Sequence, residues 1–599
     1  MSKQENKWKH KESSFESLDQ TRIFFRMWEP VNHSLTDSKR ALIFLHRGHE
    51  HSGRIEPLVE QLAYEQYWAF AWDARGHGHS PGERGDASSF YTLVQDFECF
   101  IRHIEKTYAI PAENMLIVAN SVGAVIAATW LHDYATRVRG VVMAAAAFSI
   151  NLYVPLAKPA LRLTTSFKPE LFVKSYIRPL MLTHSEEQAQ AYQADPLITK
   201  NISARVLLDL ADTAQRVVND AQAIDTPILM LVADKDYVVK QAPQKAFFDG
   251  LSSSLKRYVL IENCHHAIFY ESELQLQQAF KICKAFIDEC FTRQLPAISS
   301  YHEADTKSKS ALNYQALQKG SLGSPFCNMF YGLQKFMLGT LGRLSDGMRI
   351  GLKHGFDSGA SLDYVYRNQA GGRMLIGKAI DRSYLDAIGW RGIRQRKAQL
   401  QKALSQTISS YPPDQTLRIL DIAAGSGRYV LETVKRFQDR PIEITLRDFD
   451  KHNLEQAQLL ATHLALNNHI EYQCRDAFSP ESYPMNEGPF DIVIISGLYE
   501  LFSDNTLILR SLQGIAQQIK KEGYIIYTGQ PWHPQLVMIA KTLKNHQGKP
   551  WQMRPRPQAE MDALVATIAC KKISSEIAIA GIFTVSVAQY QEVKPALSD

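Results

Sequence analysis

The stretch MLIVANSVG, residues 115–123, decides how the first half of the chain folds. Met115, Leu116, Ile117 and Val118 form a continuous apolar run, the pattern of a strand buried on both faces. The run stops at Ala119-Asn120-Ser121-Val122-Gly123, and the small, apolar residues 124–131 that follow predict a helix. A strand, a tight turn with a central serine and a helix together lift a serine hydroxyl above a sheet edge. Small residues must flank that serine because strand and helix backbones nearly touch there. Ala119 stands where the turn ordinarily has Gly and adds one methyl. A strand–helix turn that merely contains serine reads the same over five residues, so the surrounding chain has to decide.

At 599 residues the chain is too long for one ordinary core, and two or more domains are expected. Hydrophobic residues at 45% and charged residues at 22% fit a globular protein, and a formal net charge of +5 is too small at this length to argue for nucleic acid. Residues 1–14 are charged and lack the apolar segment of a secretory signal, and no apolar run is long enough to span a bilayer. The seven cysteines are scattered without a CxxC pair, which argues against a disulfide framework or a zinc site. A reducing cytoplasm is the expected compartment, with association at the inner membrane face left open.

Outward from residue 115, residues 15–30 read as a hairpin. Residues 41–45, 67–72, 138–147, 227–233 and 256–261 read as strands and 89–108 as a helix. Strands alternating with helices predict a mostly parallel α/β sheet, whose ligands bind beyond the carboxyl ends of the strands. The loops there carry His46 to Arg54, Asp73 to Ser80, Asp234 to Val239, and His265-His266 with Glu271 further on. A serine hydroxyl is a weak nucleophile that needs an adjacent base, and the base needs an orienting carboxylate. Ser, Asp and His follow one another in the chain order of a serine hydrolase built on such a sheet.

This first part resembles the monoglyceride lipase and lysophospholipase branch of the α/β-hydrolases, of the serine aminopeptidase S33 type. The resemblance rests on His46 with EHSGR (residues 50–54), DARGHGHSPGERG (73–85), the Ser121 turn, Asp195-Pro196-Leu197, Asp236-x-Val-Val, and His266 with Glu271. It implies Ser121 as nucleophile, His266 as base and Asp236 as its orienter, with an oxyanion hole from the backbone N–H groups of Gly48 and Val122. Three positions depart from the pattern: Arg47 and His49 replace Gly, and Asn120 replaces the usual His. Arg47 either reaches an anionic head group or points to solvent. His46, His49 and His51 resemble a metal cluster, but the loop's match to the family argues for none. Residues 150–224 would be the cap, with Leu152, Tyr153, Leu156, Leu161, Phe167, Leu171 and Phe172 available to an acyl chain.

Residues 297–324 are polar and Ser/Lys-rich and read as a linker. Phe326, Met329, Phe330, Leu333, Phe336, Met337, Leu341 and Leu344 then recur at helical spacing. With Lys335 and Arg343, a helix over 326–344 suits a membrane interface or packing between domains. Beyond a basic helical stretch (378–408), the strand LRILDI (417–422) runs into Ala423-Ala424-Gly425-Ser426-Gly427 ahead of a helix. Small residues there let a backbone approach a cofactor at a helix N-terminus. Strands over 442–446, 470–474, 490–495 and 524–528 alternate with helices over 454–466 and 506–519, a second doubly wound sheet.

This part resembles the class I S-adenosylmethionine-dependent methyltransferases, on DIAAGSG (421–427), Asp448-x-Asp450 with Leu454 and Ala457, Asp476-Ala477, and Phe490-Asp491. The resemblance implies S-adenosylmethionine as cofactor. Asp421, Ala423, Gly425 and Gly427 would lie around its methionine part, Asp448 at the ribose, and Asp476 with Ala477 at the adenine. Ser496 at the end of its strand completes that set. A nicotinamide dinucleotide fold is the rival reading; the absence of GxGxxG and the Asp476 loop argue against it. Residues 581–589 suit the antiparallel last strand of methyltransferases. Tyr499, Glu500, Gln530, Trp532 and His533 lie just past the last central strands, where a methyl acceptor should sit; Tyr499 and His533 are the expected acceptor-site residues, and His533 either acts as a base or packs its turn.

The expected organisation is α/β throughout. A hydrolase domain spans 1–295, a linker with an amphipathic helix 296–345, and a methyltransferase domain 346–599. The expected activities are cleavage of a lipid-like carboxylic ester and methyl transfer to an unidentified acceptor. Peripheral membrane contact would come through the cap or the 326–344 helix, with no nucleic-acid partner. The alternative is one catalytically degenerate head acting as a binding module.

Overall fold

The computed structural model describes residues 7–31, 38–151, 157–168, 170–294, 304–321, 325–578 and 581–591. The chain divides into two units, Met1–Ala297 and Ile298–Asp599. The first holds β1 (Trp8–Glu16), β2 (Arg22–Pro30), β3 (Ala41–Leu45), β4 (Trp68–Trp72), β5 (Met115–Asn120) and β6 (Gly140–Ala144). It continues with β7 (Phe172–Lys174), β8 (Asn201–Ser203), β9 (Ile228–Ala233) and β10 (Lys256–Ile261). Eight of these form one sheet in the order β1-β2-β4-β3-β5-β6-β9-β10. The β1–β2 hairpin is antiparallel and pairs antiparallel with β4; from β4 onward neighbours run parallel. Every residue of β3, β4, β5, β6 and β9 is buried, which is why each reads as an unbroken apolar run. β1 begins at Trp8, earlier than the expected hairpin, because this edge strand is polar and exposed and carries no apolar alternation.

The cap comprises the helices Ala157–Phe167, Glu186–Ala194 and Ala204–Asn219 and the β7–β8 ribbon, whose three-residue strands are too short to leave a sequence pattern. Arg216 on the longest cap helix holds Asp133 through two bonds of 2.6 and 2.7 Å, fixing the cap to the helix that follows Ser121. Leu152, Tyr153 and Leu156 lie outside the described residues.

The second unit holds β11 (Leu417–Ile422), β12 (Ile442–Asp448), β13 (Ile470–Cys474), β14 (Phe490–Ile495), β15 (Ile519–Gly529), β16 (Cys570–Ile577) and β17 (Thr584–Tyr590). Their order is β13-β12-β11-β14-β15-β17-β16, with β17 antiparallel to both neighbours. The strand order reverses between β11 and β14, so a crevice opens beyond their carboxyl ends. The preceding helix ends at Ala516 and β15 starts at Ile519, earlier than its apolar half suggests. β16 escapes the sequence reading because its Lys, Ser and Glu residues form a polar sheet edge.

Where a linker is expected, residues 304–321 are helical and held in place. Ser308 caps the helix Lys309–Gln318 by accepting from the Ala311 N–H, and Asp305 pairs with buried Arg554 and accepts from the Asn505 N–H. Residues 295–303 and 322–324 and the Phe326 side chain lie outside the described residues. The helices Pro325–Gly339, Asp346–His354, Gly359–Arg367, Met374–Leu385 and Ile388–Ser409 follow. Met348, Phe356, Val365, Leu385, Trp390 and Ile393 from this run share a core with Ile582 and Phe583 at the entry to β17. Among the described residues, no helix is long and apolar enough to cross a membrane.

Candidate functional site

In the first unit β5 ends at Asn120, and Ser121 takes φ +50° and ψ −109° before the helix Val122–Tyr134. That conformation is costly for a residue with a Cβ and is typical of functional positions. Ala119 is extended within β5, paired with Leu45 and Met143, so its methyl costs the turn nothing. Ser121 Oγ lies 2.9 Å from His266 Nε2, and His266 Nδ1 lies 2.9 Å from Asp236 Oδ2. The other Asp236 oxygen accepts from the N–H groups of Val238 and Val239 at 2.8 and 2.9 Å. Burial raises the Asp236 pKa, but the neighbouring His266 and these N–H donors outweigh it and hold the carboxyl below its usual range. The three residues sit beyond the carboxyl ends of β5, β9 and β10. Gly48 packs against Val122: a Cβ there would lie 3.1 Å from Val122 Cγ2.

The loops around this triplet are cross-braced. Asp73 accepts from the N–H groups of Ser52 at 2.6 Å and His79 at 2.7 Å, and a Cβ at Gly78 (φ +49°) would overlap its carboxylate. His46 Nε2 accepts from the Ala74 N–H at 3.0 Å, so its Nδ1–H faces the Arg47 carbonyl at 2.6 Å. His51 Nδ1 accepts from Gly53 N–H, leaving Nε2–H for Asp195 at 2.9 Å. Both rings are committed to the fold. His49 sits at φ +71°, which explains why glycine suits that position. His184, His265 and Glu271 approach within 4.8 Å of one another, unforeseen from sequence. The Glu271 carboxylate already accepts from the backbone N–H groups of His184, His265 and Ser272, joining cap to core.

Arg47 neither points to solvent nor stands alone. It is 5% exposed, binds Glu50 through Nε at 2.9 Å and Nη2 at 2.5 Å, and lies over the rings of Tyr192 and Tyr270. Its Nη1 has no hydrogen-bond partner among the described residues. Arg54 Nε shares the same carboxylate at 3.1 Å. Burial raises the Glu50 pKa, but the two arginines outweigh it and bring it down to about 2. Glu50→Ala would leave the buried Arg47 guanidinium without its carboxylate and the half-buried Arg54 with Asp195 at 3.7 Å, and a loss of about 3–5 kcal/mol is expected in urea unfolding at pH 7. The folded-state pKa is depressed. The wild-type advantage should therefore be full above about pH 4.5 and fade as pH falls towards 2.

A cavity of about 110 Å³ opens onto Ser121, His266, Gly48 and Val122. Ile177, Leu182, Ile202, Leu207 and Leu210 of the cap line it. These differ from the cap residues expected to meet an acyl chain. Phe167 is 84% exposed, and Leu161 borders a separate, smaller hollow. Sequence gives no register for a cap of short elements, so the facing residues were not separable from the packing ones.

In the second unit the loop after β11 has Ala423, Gly425 and Gly427 at φ +56°, +58° and +62°. A Cβ at Gly427 would collide with Leu446, whereas one at Gly425 would enter open space. Asp448 at the end of β12 accepts from the N–H groups of Gly425 at 2.8 Å and Asp450 at 2.9 Å, and from Asn453 Nδ2 at 3.0 Å. Asp421 accepts from the Tyr429 hydroxyl at 2.6 Å through Oδ1, while its buried Oδ2 has no hydrogen-bond partner among the described residues. Burial, with the Asp448 charge adding, pushes the Asp421 carboxyl up to about 8 against the Tyr429 bond. Asp476 is exposed beyond β13 and accepts from the Phe478 N–H at 2.9 Å; Ala477 is buried, and Ser496 is half-buried directly after β14.

The two residues expected at an acceptor site part company. Tyr499 turns into the core, 2% exposed, with its hydroxyl donating to Ser511 at 3.0 Å; burial raises its pKa. Its neighbour Glu500 instead faces a cavity of about 610 Å³, as does His533. His533 Nδ1 accepts from the Gln535 N–H at 3.1 Å, and burial brings the ring down to about 4. The neutral ring therefore carries its proton on Nε2 and is a donor there, which removes the general-base role open from sequence.

Comparison with known proteins follows the same division. Residues 36–273 match the family described as "Serine aminopeptidase, S33", and residues 283–590 the family described as "Putative methyltransferase". The chain is 40% identical over 579 residues to the uncharacterized protein YnbC of Escherichia coli, covering 96% of this chain and 98% of that one. Its first part is 25% identical over 254 residues to phospholipase YtpA of Bacillus subtilis, covering 41% of this chain and 95% of that one. It is 26% identical over 256 residues to human monoglyceride lipase, covering 42% and 81%.

Proposed function

Because the chain belongs to the family of Escherichia coli YnbC, with an α/β-hydrolase domain ahead of a methyltransferase domain, we propose a two-headed enzyme. The first head cleaves a lipid-like carboxylic ester through Ser121, His266 and Asp236. The second transfers a methyl group from S-adenosylmethionine. The observation that carries the first reading is the unbroken run of 2.9 Å contacts from Asp236 to His266 to a Ser121 held at φ +50°.

In this reading His266 Nε2 takes the Ser121 proton as Oγ attacks the ester carbonyl, and it returns that proton to the departing alcohol. Asp236 keeps the imidazole proton on Nδ1 and stabilises the charged ring. The N–H groups of Gly48 and Val122 would meet the charge that develops on the carbonyl oxygen. A water then frees the acid by the same steps. The 110 Å³ cavity suits a short acyl group, and a longer chain needs the cap to yield. The relatives' names, phospholipase and monoglyceride lipase, support a glycerolipid-like ester.

The second reading is supported by a cradle with one unpartnered carboxyl oxygen. Gly425 leaves open space for a bound group, and Asp421 Oδ2 is a buried acceptor that an ammonium such as that of S-adenosylmethionine would satisfy. Asp448 would take the ribose hydroxyls, with Asp476 and Ala477 beside the adenine. Bound there, S-adenosylmethionine supplies an electrophilic methyl group. Exposed Met329, Phe330, Leu333 and Phe336 on the helix Pro325–Gly339 support contact with a lipid surface.

A fluorophosphonate probe tests the first head and calorimetry with S-adenosylhomocysteine the second. Phosphonylation of the peptide bearing Ser121 and saturable cofactor binding are expected. An unlabelled Ser121 would mean a degenerate hydrolase, and absent cofactor binding would refute the methyltransferase reading.

A further inference from the structure

The 610 Å³ cavity of the second unit lies within the range that buries most of a drug-sized ligand. Met337, Met348, Trp390, Ile393, Met538 and Trp551 are among its mostly apolar walls. Methionine side chains fit irregular apolar shapes, so the walls favour a hydrocarbon body over a polar one. The helix Pro325–Gly339 contributes Met337 to this lining while keeping Phe330 and Phe336 more than half exposed.

Polar groups gather where the cavity reaches the sheet. Gly497 follows β14 and Gln530 follows β15, both at the carboxyl edge where β11 delivers residues 423–427. Arg396 reaches this edge, with Nη1 on Glu500 at 3.1 Å. Both amide atoms of Gln530 and the Nε of Arg396 are buried and have no hydrogen-bond partner among the described residues. Such atoms are rare in native proteins and call for a ligand or an equivalent partner. His533 adds an Nε2–H donor.

We propose that this cavity binds the methyl acceptor and that the acceptor is a long-chain carboxylic acid. Its carboxylate would lie at Gln530, Arg396 and His533, with its chain among the apolar walls. This rests on the methyl-transfer reading. A hydroxyl acceptor would need a base to remove its proton. Glu500 is held by Arg396, and His533 Nδ1 is held by Gln535. A carboxylate needs no base: its oxygen forms the new bond to the methyl carbon, the methyl–sulfur bond breaks with its electron pair left on sulfur, and no proton moves. The products are a methyl ester and S-adenosylhomocysteine. An ester-cleaving reaction of the kind proposed for the first head releases a carboxylic acid, a long-chain one where the cap yields to a longer acyl group.

Equilibrium dialysis of the full-length protein against labelled palmitate and hexadecanol tests this, with S-adenosylhomocysteine binding measured on the same samples. Palmitate is expected to bind at least about 10-fold tighter than hexadecanol. Gln530→Leu, nearly equal in volume, should remove that preference by weakening palmitate alone. Ile393→Trp should narrow the cavity and weaken binding of both, and thermal unfolding would verify that each variant is folded. Equal affinity for acid and alcohol, or palmitate binding unaffected by both variants, would overturn the proposal. Palmitate binding intact without any S-adenosylhomocysteine binding would instead overturn the methyl-transfer reading beneath it. Methyl-labelled palmitate ester formed from S-adenosylmethionine is the expected product.

Discussion

Ser121→Ala is expected to lower kcat for a short-chain ester such as p-nitrophenyl butyrate by about 10⁴–10⁶-fold, with KM nearly unchanged. In the proposed mechanism the hydroxyl would make the covalent bond to the acyl group, and the oxyanion donors left behind would sustain only weak residual catalysis. Asp236→Asn should cost about 10⁴-fold by a different route. An amide at that position still bonds the ring but favours the tautomer with the proton on Nε2, which cannot accept from Ser121. The two effects should not add, because each disables the same proton transfer. Hydrolysis that survives Ser121→Ala would move the chemistry away from this serine. The substitution itself is mild for the fold, since Ser121 is small and, among the described residues, its hydroxyl hydrogen-bonds to the His266 side chain alone.

Much of this was legible because the chemistry sits beside strong local signals. The strand β11 and the turn at residues 423–427 are read from the run LRILDI, five of whose six residues are buried, and from the five small residues Ala-Ala-Gly-Ser-Gly that follow it. Ser121 is read in the same way from β5. What stayed hidden depends on which face a residue presents after packing. Tyr499 and Glu500 are adjacent just past β14, and sequence cannot tell that the ring enters the core while the carboxylate meets Arg396. Arg47 looked like a free cation because Glu50, three residues on, gives no sign of closing back on it. The helical stretch 304–321 reads as a linker by composition, and its anchor Arg554 lies about 250 residues away in the chain. The unpartnered amide of Gln530 is a fact of tertiary burial, with no sequence signature beyond its place after a central strand.

In the second unit, Asp448→Ala is expected to weaken S-adenosylhomocysteine binding by about 100-fold or more in calorimetry. A hydrogen bond from a ribose hydroxyl to the carboxylate would account for most of that. The remainder comes from the loop, because the same carboxylate holds the N–H groups of Gly425 and Asp450 and the Asn453 amide. Asp448→Asn separates the two contributions, keeping an acceptor for one side while losing the charge. The pH dependence reports on Asp421 instead. With its carboxyl pushed up to about 8, Asp421 is mostly protonated at pH 7 and cannot pair with an ammonium until that proton leaves. Affinity should therefore rise between pH 6 and 8 and level off above, with one proton released on binding at the lower end. Asp421→Asn should flatten the profile while leaving the Asp448 effect in place. A flat wild-type profile would show that the buried Oδ2 does not meet the cofactor's charge and would confine recognition to Asp448 and the turn beside it.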